Sequence, residues 1–151
     1  MERTGTAAWK GGLKDGSGRV STESGTLDGA AYSFSSRFEA KGAFAFAKRP
    51  ERLTNPEELI AAAHASCFSM QLSDVLGAAG LTPDDIRTTA VITGDHADGG
   101  RFTVRSSRLT VEVRAPGADR AMVAEAAETA RRICPVSRLL HAEITLDLTV
   151  V

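Results

Sequence analysis

Apolar and polar residues alternate in several short segments, which is the pattern of β-strands with one buried face. The clearest segment is residues 144–150, where Ile, Leu and Val alternate with Thr and Asp. Shorter segments at residues 6–10, 19–22 and 32–34 are separated by glycine-rich stretches that favour turns. The pattern therefore predicts three strands near the N-terminus and one strand at the C-terminal end.

A long helix is predicted in the middle of the chain. Asn55 suits the N-cap position, Pro56 suits the first helical position, and Glu58 completes a capping box. Residues 59–76 contain no glycine or proline and carry alanines on nearly all faces, and two glycines follow soon afterwards. We expect a helix that ends at these glycines and packs against neighbours on several sides.

Two further strands are predicted in the second half of the chain. They cover residues 87–94 and 101–114, with a turn at residues 98–100 between them. Within the second segment the apolar positions change from even to odd numbers. A strand's side chains alternate between faces, so this change predicts a β-bulge near Ser106 and Ser107.

A second helix is predicted at residues 119–133, where apolar residues recur on one stripe. Cys134 and Pro135 interrupt it, and a short helix is expected to continue to His141. Residues 39–54 show no clear period and are interpreted as a loop. The order βββ-α-ββ-α-β, with strands grouped by hairpins, predicts an α+β fold with antiparallel sheets in a single domain over residues 1–151.

Composition narrows the possible functions. The chain has 151 residues, of which 42% are hydrophobic and 25% charged, as in an ordinary globular domain. Its net charge of -1 does not indicate a basic surface that would bind nucleic acid or a membrane. No run approaches about 18 apolar residues, so no transmembrane helix is expected. The first residues do not resemble a signal peptide, and we expect a cytoplasmic protein.

The candidate chemistry centres on two cysteines, Cys67 and Cys134, which are too few for a secreted disulfide scaffold. They can be reactive, metal-bound or merely buried. Cys67 lies in the middle of the predicted helix, where the helix dipole does little to lower the pKa of a thiol. A reactive thiolate there would need a partner such as an arginine. Cys134 precedes Pro135 and suits the N-cap of the short helix, with its sulfur near unpaired N–H groups.

Histidine offers two weaker interpretations. His64 precedes Cys67 by three residues, so a Cys–His catalytic pair is conceivable, but this spacing rarely aims an imidazole at the sulfur. The other histidines, His96 and His141, are scattered along the chain, and together with the two cysteines they lack the close ligand pairs of a structural zinc site.

Glu57 and Cys67 lie far apart on the same predicted helix, which limits how one chain could supply both to an active site. Glu57 precedes Cys67 by ten residues on the predicted helix. This corresponds to roughly 15 Å along the helix axis. If both residues serve one active site, they must come from two copies of the helix, and the protein would be a dimer.

Several segments together resemble the signature sequences of the OsmC/Ohr family of thiol peroxidases (osmotically inducible protein C and organic hydroperoxide reductase). They are NPEEL at residues 55–59, AHASCFS at 63–69, CPVS at 134–137, VSTESG at 20–25, SRFE at 36–39 and AEITLD at 142–147. The resemblance runs over nearly the whole chain. The HASCF and TESG stretches favour the OsmC branch.

The resemblance implies a fold and an activity. The fold would be an intertwined homodimer, with two long central helices enclosed by antiparallel β-sheets from both subunits. The activity would be the reduction of organic hydroperoxides, and also of hydrogen peroxide, as part of an oxidative stress response. No metal, haem or flavin cofactor is implied. A dithiol would restore the enzyme, and in related enzymes this reductant is a lipoyl-bearing protein.

The resemblance also implies roles for individual residues. Cys67 would be the peroxidatic cysteine and Cys134 the resolving cysteine, which form a disulfide in each cycle. Arg37 would hold and activate the Cys67 thiolate, and Glu57 would orient Arg37. Apolar neighbours, Phe68 and Met70 among them, would line a pocket for alkyl hydroperoxides.

Two alternatives to this function stay open. One is a cysteine hydrolase or acyl transferase that uses Cys67 and His64. The other is a non-catalytic dimeric binding module with the same fold and inert thiols. Residues 39–54, with Phe44 and Phe46, look longer than the corresponding link in the family, and could form either part of the peroxide entrance or a tolerated surface insertion.

Overall fold

The computed structural model describes residues 1–39 and 53–151. The prediction for Phe44 and Phe46 lies outside the described residues. The chain divides into two structural units, Met1–Leu59 and Ile60–Val151. The prediction that residues 1–151 form a single domain stays a prediction.

The first unit contains a four-stranded sheet. Strands β1 (Gly5–Lys10), β2 (Ser17–Thr22) and β3 (Ala30–Ser33) pair in antiparallel fashion, which confirms the three predicted strands. A short strand β4 (Leu53–Thr54) pairs parallel to β3. Residues 53 and 54 were expected to belong to a loop, and their pairing with β3 corrects that expectation.

A short helix, α1 (Phe34–Phe38), follows β3. Ser33 ends the strand because its Oγ accepts the Ser36 N–H at 3.1 Å, while Ser36 Oγ accepts the Ser33 N–H at 2.9 Å. This reciprocal capping box starts a helix at Phe34, which was expected to continue the strand. The helix carries Arg37.

The predicted long helix is present as α2 (Pro56–Ala78). Its first turn is capped by Asn55, whose Oδ1 accepts the Glu58 N–H at 2.8 Å. After its last residue the chain reverses at Gly80, which has φ +77, and the Leu81 N–H bonds the Leu76 carbonyl at 2.9 Å. Glycine takes this left-handed conformation without steric cost, so the helix ends close to the predicted position.

One face of α2 is buried within the chain. The buried residues are His64, Phe68, Leu72 and Leu76, which recur every four residues and form a single stripe. Packing on several sides was expected; within the described chain this stripe is buried, and Cys67 and Val75 beside it are partly buried against the core. Other positions of the helix, among them Met70 at 74% exposure, face away from the core.

Helix α2 is also long and apolar enough, by length and composition, to cross a membrane. No transmembrane helix was expected, because the chain has no unbroken apolar run of that length; α2 passes the test of length and composition although serines and a histidine interrupt its apolar residues. The core helix of a soluble protein passes the same test, so the observation is weak evidence for a membrane.

The second unit contains a three-stranded sheet of β5 (Asp85–Asp95), β6 (Thr103–Arg114) and β7 (Glu143–Val150). A short helix α3 (Ala97–Gly100) lies in the connection from β5 to β6. The β5–β6 register shifts because Thr93 pairs with Ser106 and Gly94 pairs with Val104. The extra residue is therefore Arg105, which confirms the predicted bulge beside Ser106.

Strand β7 pairs parallel to β6, whereas purely antiparallel sheets were expected. The reason lies in the connection, since two helices separate these strands in sequence. They are α4 (Arg120–Ile133) and α5 (Pro135–Leu139). A helical crossover of this length can return the chain in the same direction, as a tight hairpin cannot. The predicted α+β class and the order of the main elements are confirmed.

The core of the second unit lies between α2, α4 and the sheet. It is made of the buried apolar residues Phe68, Leu72, Leu76, Leu109, Val111, Val113, Ala115, Val123, Ala126, Ala127, Ala130 and Cys134. The predicted stripe of α4 is correct at its centre, but its ends, Met122 and Ile133, are 44% and 43% exposed. The short helix α5 ends at Leu139, two residues before the predicted His141.

Candidate functional site

The two cysteines meet in the second unit. The thiol of Cys134 donates to the sulfur of Cys67, with 3.4 Å between the two Sγ atoms, and neither cysteine forms a disulfide. Cys67 lies in the middle of α2 and is partly exposed, while Cys134 lies between α4 and α5 and is fully buried. The structure therefore brings together two residues that are 67 positions apart in sequence.

Cys134 occupies a junction between two helices. Its backbone N–H bonds the Ala130 carbonyl at 2.8 Å and so closes α4, and the same residue is the N-cap of α5. Cys134 is the N-cap of α5 as predicted, but its side chain makes no capping hydrogen bond. The backbone N–H of Val136, at the start of α5, acts instead on the thiol of Cys67, whose pKa it lowers.

The ionisation of Cys67 depends on its burial and on two neighbouring residues in this unit. Burial raises the pKa of the Cys67 thiol, the Val136 N–H lowers this pKa, and the adjacent Cys134 thiol raises it. The net direction is upward from the ordinary value. Within the second unit alone, Cys67 is thus a protonated thiol at neutral pH, and a nearby cation would be needed to favour the thiolate.

His64 is fully buried and both of its ring nitrogens are engaged. Nδ1 lies 2.7 Å from Ser107 Oγ in β6, and Nε2 lies 2.8 Å from Ser137 Oγ in α5. Burial lowers the pKa of His64, which keeps the ring neutral at neutral pH. With both nitrogens directed at serines, His64 is not placed to act as the base of a Cys67–His64 catalytic pair.

Arg37 and Glu57 form an ion pair in the first unit. Arg37 Nη2 lies 2.6 Å from Glu57 Oε1, and Arg37 Nε lies 3.0 and 3.1 Å from the two carboxylate oxygens. The Arg37 side chain is 35% exposed and that of Glu57 is 15% exposed. The guanidinium also lies over the Phe38 ring, 4.9 Å from its centroid. The predicted pairing of these two residues is therefore present, with the two-pronged geometry that orients a guanidinium.

A mostly apolar pocket of about 240 Å³ adjoins Arg37 in the first unit. Its lining residues are Trp9, Leu13, Tyr32, Ser33, Phe34, Arg37, Phe38 and Pro56. The aromatic residues of this pocket were not identified from the sequence as site residues. The signal that could have found them is the placement of Phe34 and Phe38 on either side of Arg37, at a spacing that puts both rings on one helix face.

The predicted apolar neighbours of Cys67 are only partly correct. Phe68 has no exposed surface and belongs to the buried stripe of α2, so it packs in the core. Met70 does line a shallow groove beside the thiol, together with Cys67, Gln71, Asp74 and Pro135. The i+4 spacing of His64, Phe68 and Leu72 explains why Phe68 points inward and Met70 outward.

The described residues thus contain two predicted pairs, Cys67 with Cys134 and Arg37 with Glu57, each within one structural unit. Sequence reasoning missed Ser107 and Ser137, which bind the imidazole of His64. Within residues 1–39 and 53–151, no group of three or more His, Cys, Asp and Glu residues could hold a metal ion.

The sequence matches a known family and its curated members. Residues 49–149 match the family described as OsmC-like protein. The chain is 47% identical over 147 residues to the Peroxiredoxin OsmC of Escherichia coli (strain K12), covering 97% of this chain and 95% of that protein. It is 28% identical to the organic hydroperoxide resistance protein OhrA of Bacillus subtilis (strain 168), over 69% of this chain and 72% of that protein.

The fold is similar to solved structures with the same family names. The organic hydroperoxide resistance protein OhrB of Bacillus subtilis superposes with a TM-score of 0.62 at 25% identity, covering 98% of both chains. An OsmC-like protein from Mycoplasma pneumoniae superposes with a TM-score of 0.72 at 15% identity, covering 100% of this chain and 98% of the other. The second likeness concerns the fold alone.

Proposed function

The chain belongs to the OsmC-like protein family, and we propose that it is a thiol peroxidase that reduces organic hydroperoxides to alcohols, and hydrogen peroxide to water. The observation that carries this proposal is the 3.4 Å separation of the Cys67 and Cys134 sulfurs, both present as free thiols. Cys67 is partly exposed, as a cysteine that meets the peroxide requires, and the buried Cys134 lies next to it as its partner.

In the first step the Cys67 thiolate attacks the nearer oxygen of the peroxide. An S–O bond forms and the O–O bond breaks, so the second oxygen leaves as an alkoxide, which takes up a proton to give the alcohol. The sulfur is oxidised to a sulfenic acid and the peroxide is reduced. Partial exposure of Cys67 lets the peroxide reach the sulfur.

In the second step Cys134 attacks the sulfenic sulfur of Cys67. The S–S bond forms, the S–O bond breaks, and the leaving hydroxide with the thiol proton of Cys134 gives water. A disulfide needs the two sulfurs at about 2.05 Å, so they must approach by about 1.4 Å from their present separation. An external dithiol then restores both thiols by exchange.

Arg37 is proposed to stabilise the Cys67 thiolate and to bind a peroxide oxygen, while Glu57 holds the guanidinium in one orientation. The two-pronged ion pair supports this role, because a guanidinium held at two points keeps one orientation. The apolar pocket beside Arg37 suits the alkyl part of an organic hydroperoxide.

The protein is further proposed to act as a homodimer. Helix α2 is continuous from Pro56 to Ala78, so Glu57 and Cys67 of one helix are separated by ten residues, or roughly 15 Å of axial rise. An arginine held by Glu57 would therefore reach Cys67 most easily from a second chain. The exposed apolar faces of α2 support the same proposal, since they need a partner to cover them.

The two free thiols also favour a reducing compartment, and we propose the cytoplasm as the place of action. The proposed physiological reductant is a protein dithiol such as a lipoylated protein. Its test is a comparison of turnover with a lipoylated protein and with thioredoxin, each with its own reductase. If neither supports turnover while dithiothreitol does, the protein-dithiol proposal fails.

Titration of the thiols with cumene hydroperoxide tests the function. The count of free thiols per chain is expected to fall from two to zero, with one peroxide consumed. A cysteine hydrolase or an inert binding module would keep both thiols. Cys67→Ser is expected to abolish peroxide consumption, and full activity in this variant would overturn the assignment.

The role of Cys134 is tested separately. In Cys134→Ser the sulfenic acid at Cys67 is expected to persist and to react with dimedone, and turnover with a protein dithiol is expected to stall. The experiment uses a protein dithiol because dithiothreitol can reduce the sulfenic acid directly. Normal turnover of Cys134→Ser with the protein dithiol would contradict the resolving role.

A further inference from the structure

The proposed reaction leaves one buried titratable side chain without a role. His64 has no exposed surface, and its two ring nitrogens lie 2.7 Å from Ser107 Oγ and 2.8 Å from Ser137 Oγ. A neutral imidazole has one donor and one acceptor nitrogen, and a serine hydroxyl can fill either role. Both nitrogens are therefore satisfied, and the ring joins α2 to β6 on one side and to α5 on the other.

The attachment to α5 matters because this helix is short. It has five residues, of which only Ser137 is buried, and Val136 packs partly buried against the core. Arg138 is exposed and Leu139 is 79% exposed, so the last residues of α5 contribute little packing. A hydrogen bond between buried groups is costly to break, and the Ser137–His64 bond is therefore a strong constraint on where α5 lies.

The same short helix carries both groups that act on Cys67. Cys134 is its N-cap and contributes the second thiol, and Val136 contributes a backbone N–H that lowers the pKa of Cys67. On α2, His64 and Cys67 are three residues apart, or roughly 4.5 Å along the axis. The two helices are thus linked at two neighbouring points, and a shift of α5 at His64 would displace the groups at Cys67.

We infer that His64, acting through Ser137, is a positioning residue that holds the Cys134 end of α5 against the oxidised Cys67. This inference rests on the proposed function. In the step concerned, Cys134 attacks the sulfenic sulfur, the S–S bond forms, the S–O bond breaks and water leaves. The sulfurs must approach by about 1.4 Å, and an α5 anchored at Ser137 limits other movements of the attacking thiol.

A matched pair of variants tests the inference. Ser137→Ala removes the hydroxyl that links His64 to α5, whereas Ser107→Ala removes the hydroxyl that links the same ring to β6. Both hydroxyls are buried and bind the same imidazole, so the two variants should lose similar thermal stability. They differ in that only Ser137 lies on the element that carries Cys134.

The measurement is a single turnover without reductant. Reduced protein is mixed with one equivalent of cumene hydroperoxide, and the dimedone-reactive sulfenic acid and the disulfide are followed by mass spectrometry. Ser137→Ala is expected to slow conversion of sulfenic acid to disulfide by about tenfold, and Ser107→Ala by no more than about twofold. Because Val136 moves with α5, thiolate absorbance should also show a higher pKa of Cys67 in Ser137→Ala and an unchanged pKa in Ser107→Ala.

A second pair of variants covers the case in which Ser137→Ala folds poorly. Ser137→Thr keeps the hydroxyl, and Ser137→Val has almost the same shape without it. The inference expects Ser137→Thr to form the disulfide at nearly the wild-type rate and Ser137→Val to be slowed as Ser137→Ala is. Equal rates in Thr and Val variants would overturn it.

The outcomes separate this inference from the function on which it rests. If the wild-type protein consumes no hydroperoxide, the proposed peroxidase activity fails. If the wild type forms the disulfide and Ser137→Ala forms it equally fast, the positioning role of His64 is refuted while the peroxidase activity stands. If Ser107→Ala is slowed as much as Ser137→Ala, the effect belongs to the core in general, which also refutes the inference.

Discussion

The sulfur of Cys67 lies among groups that act on its ionisation in opposite directions. Burial and the neighbouring Cys134 thiol raise the pKa of Cys67, and the Val136 N–H lowers it. Since burial is the largest of these influences, the thiol is protonated at neutral pH unless a cation joins the site. The guanidinium of Arg37, held by Glu57, is the group proposed to supply that charge.

Arg37→Ala is expected to raise the pKa of Cys67 and to slow oxidation by hydroperoxide. Each pKa unit lowers the thiolate fraction at neutral pH about tenfold, and the peroxide rate falls with it. Thiolate absorbance as a function of pH measures the pKa, and stopped-flow oxidation measures the rate. Glu57→Gln should give a smaller change in the same direction, because the arginine stays but is held less firmly.

Arg19→Ala is the matched control for the loss of a cation. Arg19 belongs to the same unit, and its Nη1 bonds the Gly29 carbonyl at 2.9 Å. This variant should leave the pKa of Cys67 unchanged. If Arg37→Ala leaves the pKa unchanged and Arg19→Ala raises it, the activating arginine has been misassigned.

The buried imidazole of His64 makes stability depend on pH. Burial lowers the pKa of His64 below its ordinary value of 6.5, so between the two values the unfolded chain binds more protons than the folded chain. Stability therefore rises with pH through this window and falls as the pH drops below about 6.5. Urea unfolding of the reduced protein at about pH 7.5 and about pH 5.5 should show this loss.

His64→Gln should lose stability at both pH values but show a weaker dependence on pH. His141→Gln is the control, because His141 is exposed on the protein surface. The control variant should keep the pH dependence of the wild type. An unaltered pH dependence in His64→Gln would show that other groups cause it.

Helix α2 is the element on which the site is built, since it carries Glu57, His64 and Cys67. Its start depends on Asn55, which pairs with the Glu58 N–H, and its end depends on the reversal at Gly80. Between these limits the line of His64, Phe68 and the following leucines faces the core. This line sets the rotation of the helix and places Cys67 beside the start of α5.

Asn55→Ala is expected to destabilise the protein by about 1 kcal/mol, the usual cost of losing an N-cap acceptor. Asn55→Asp keeps an acceptor oxygen for the Glu58 N–H and should be close to wild type. The contact of Asn55 Nδ2 with the Ser36 carbonyl, which aspartate cannot make, is long at 3.5 Å and contributes little. Urea unfolding curves measure both variants, and an equal loss in the two would contradict the cap assignment.

The whole molecule is expected to be larger than one chain, because α2 is fully buried along one stripe only. Only 22% of its most apolar stretch is buried within the chain, and Met70 is 74% exposed. Burying such a surface in a second copy stabilises the assembly by removing apolar area from water. The same assembly would let Arg37 of one chain approach Cys67 of another.

Light scattering should therefore give twice the 15.9 kDa mass of the chain. Met70→Glu places a charge on the exposed apolar face of α2 and is expected to weaken the dimer and to lower peroxidase activity as the dimer dissociates. A wild-type mass of one chain at micromolar concentration would refute the dimer. A Met70→Glu variant that stays dimeric would show that this face is not the interface.

Local pattern was sufficient for much of the fold. The caps of α2, the alternation of β7 and the parity change at the β6 bulge are properties of neighbouring residues, so the sequence predicts them directly. The family motifs were sufficient to propose Cys67, Cys134, Arg37 and Glu57 as site residues. The local patterns relate residues a few positions apart, and the motifs are short sequences that this chain shares with related proteins.

Contacts over long distances in the chain were decided by the tertiary structure. Three contacts join residues far apart in sequence. They are the approach of the Cys67 and Cys134 sulfurs to 3.4 Å, the parallel pairing of β7 with β6, and the hydrogen bonds of His64 to two serines. No local period specifies such contacts, because they follow from how α2, α4 and α5 pack on the sheet. The sequence by itself determined which residues could carry redox chemistry. Packing alone decided that the Val136 N–H lowers the pKa of Cys67 and that His64 bonds Ser137 on α5, the helix capped by Cys134.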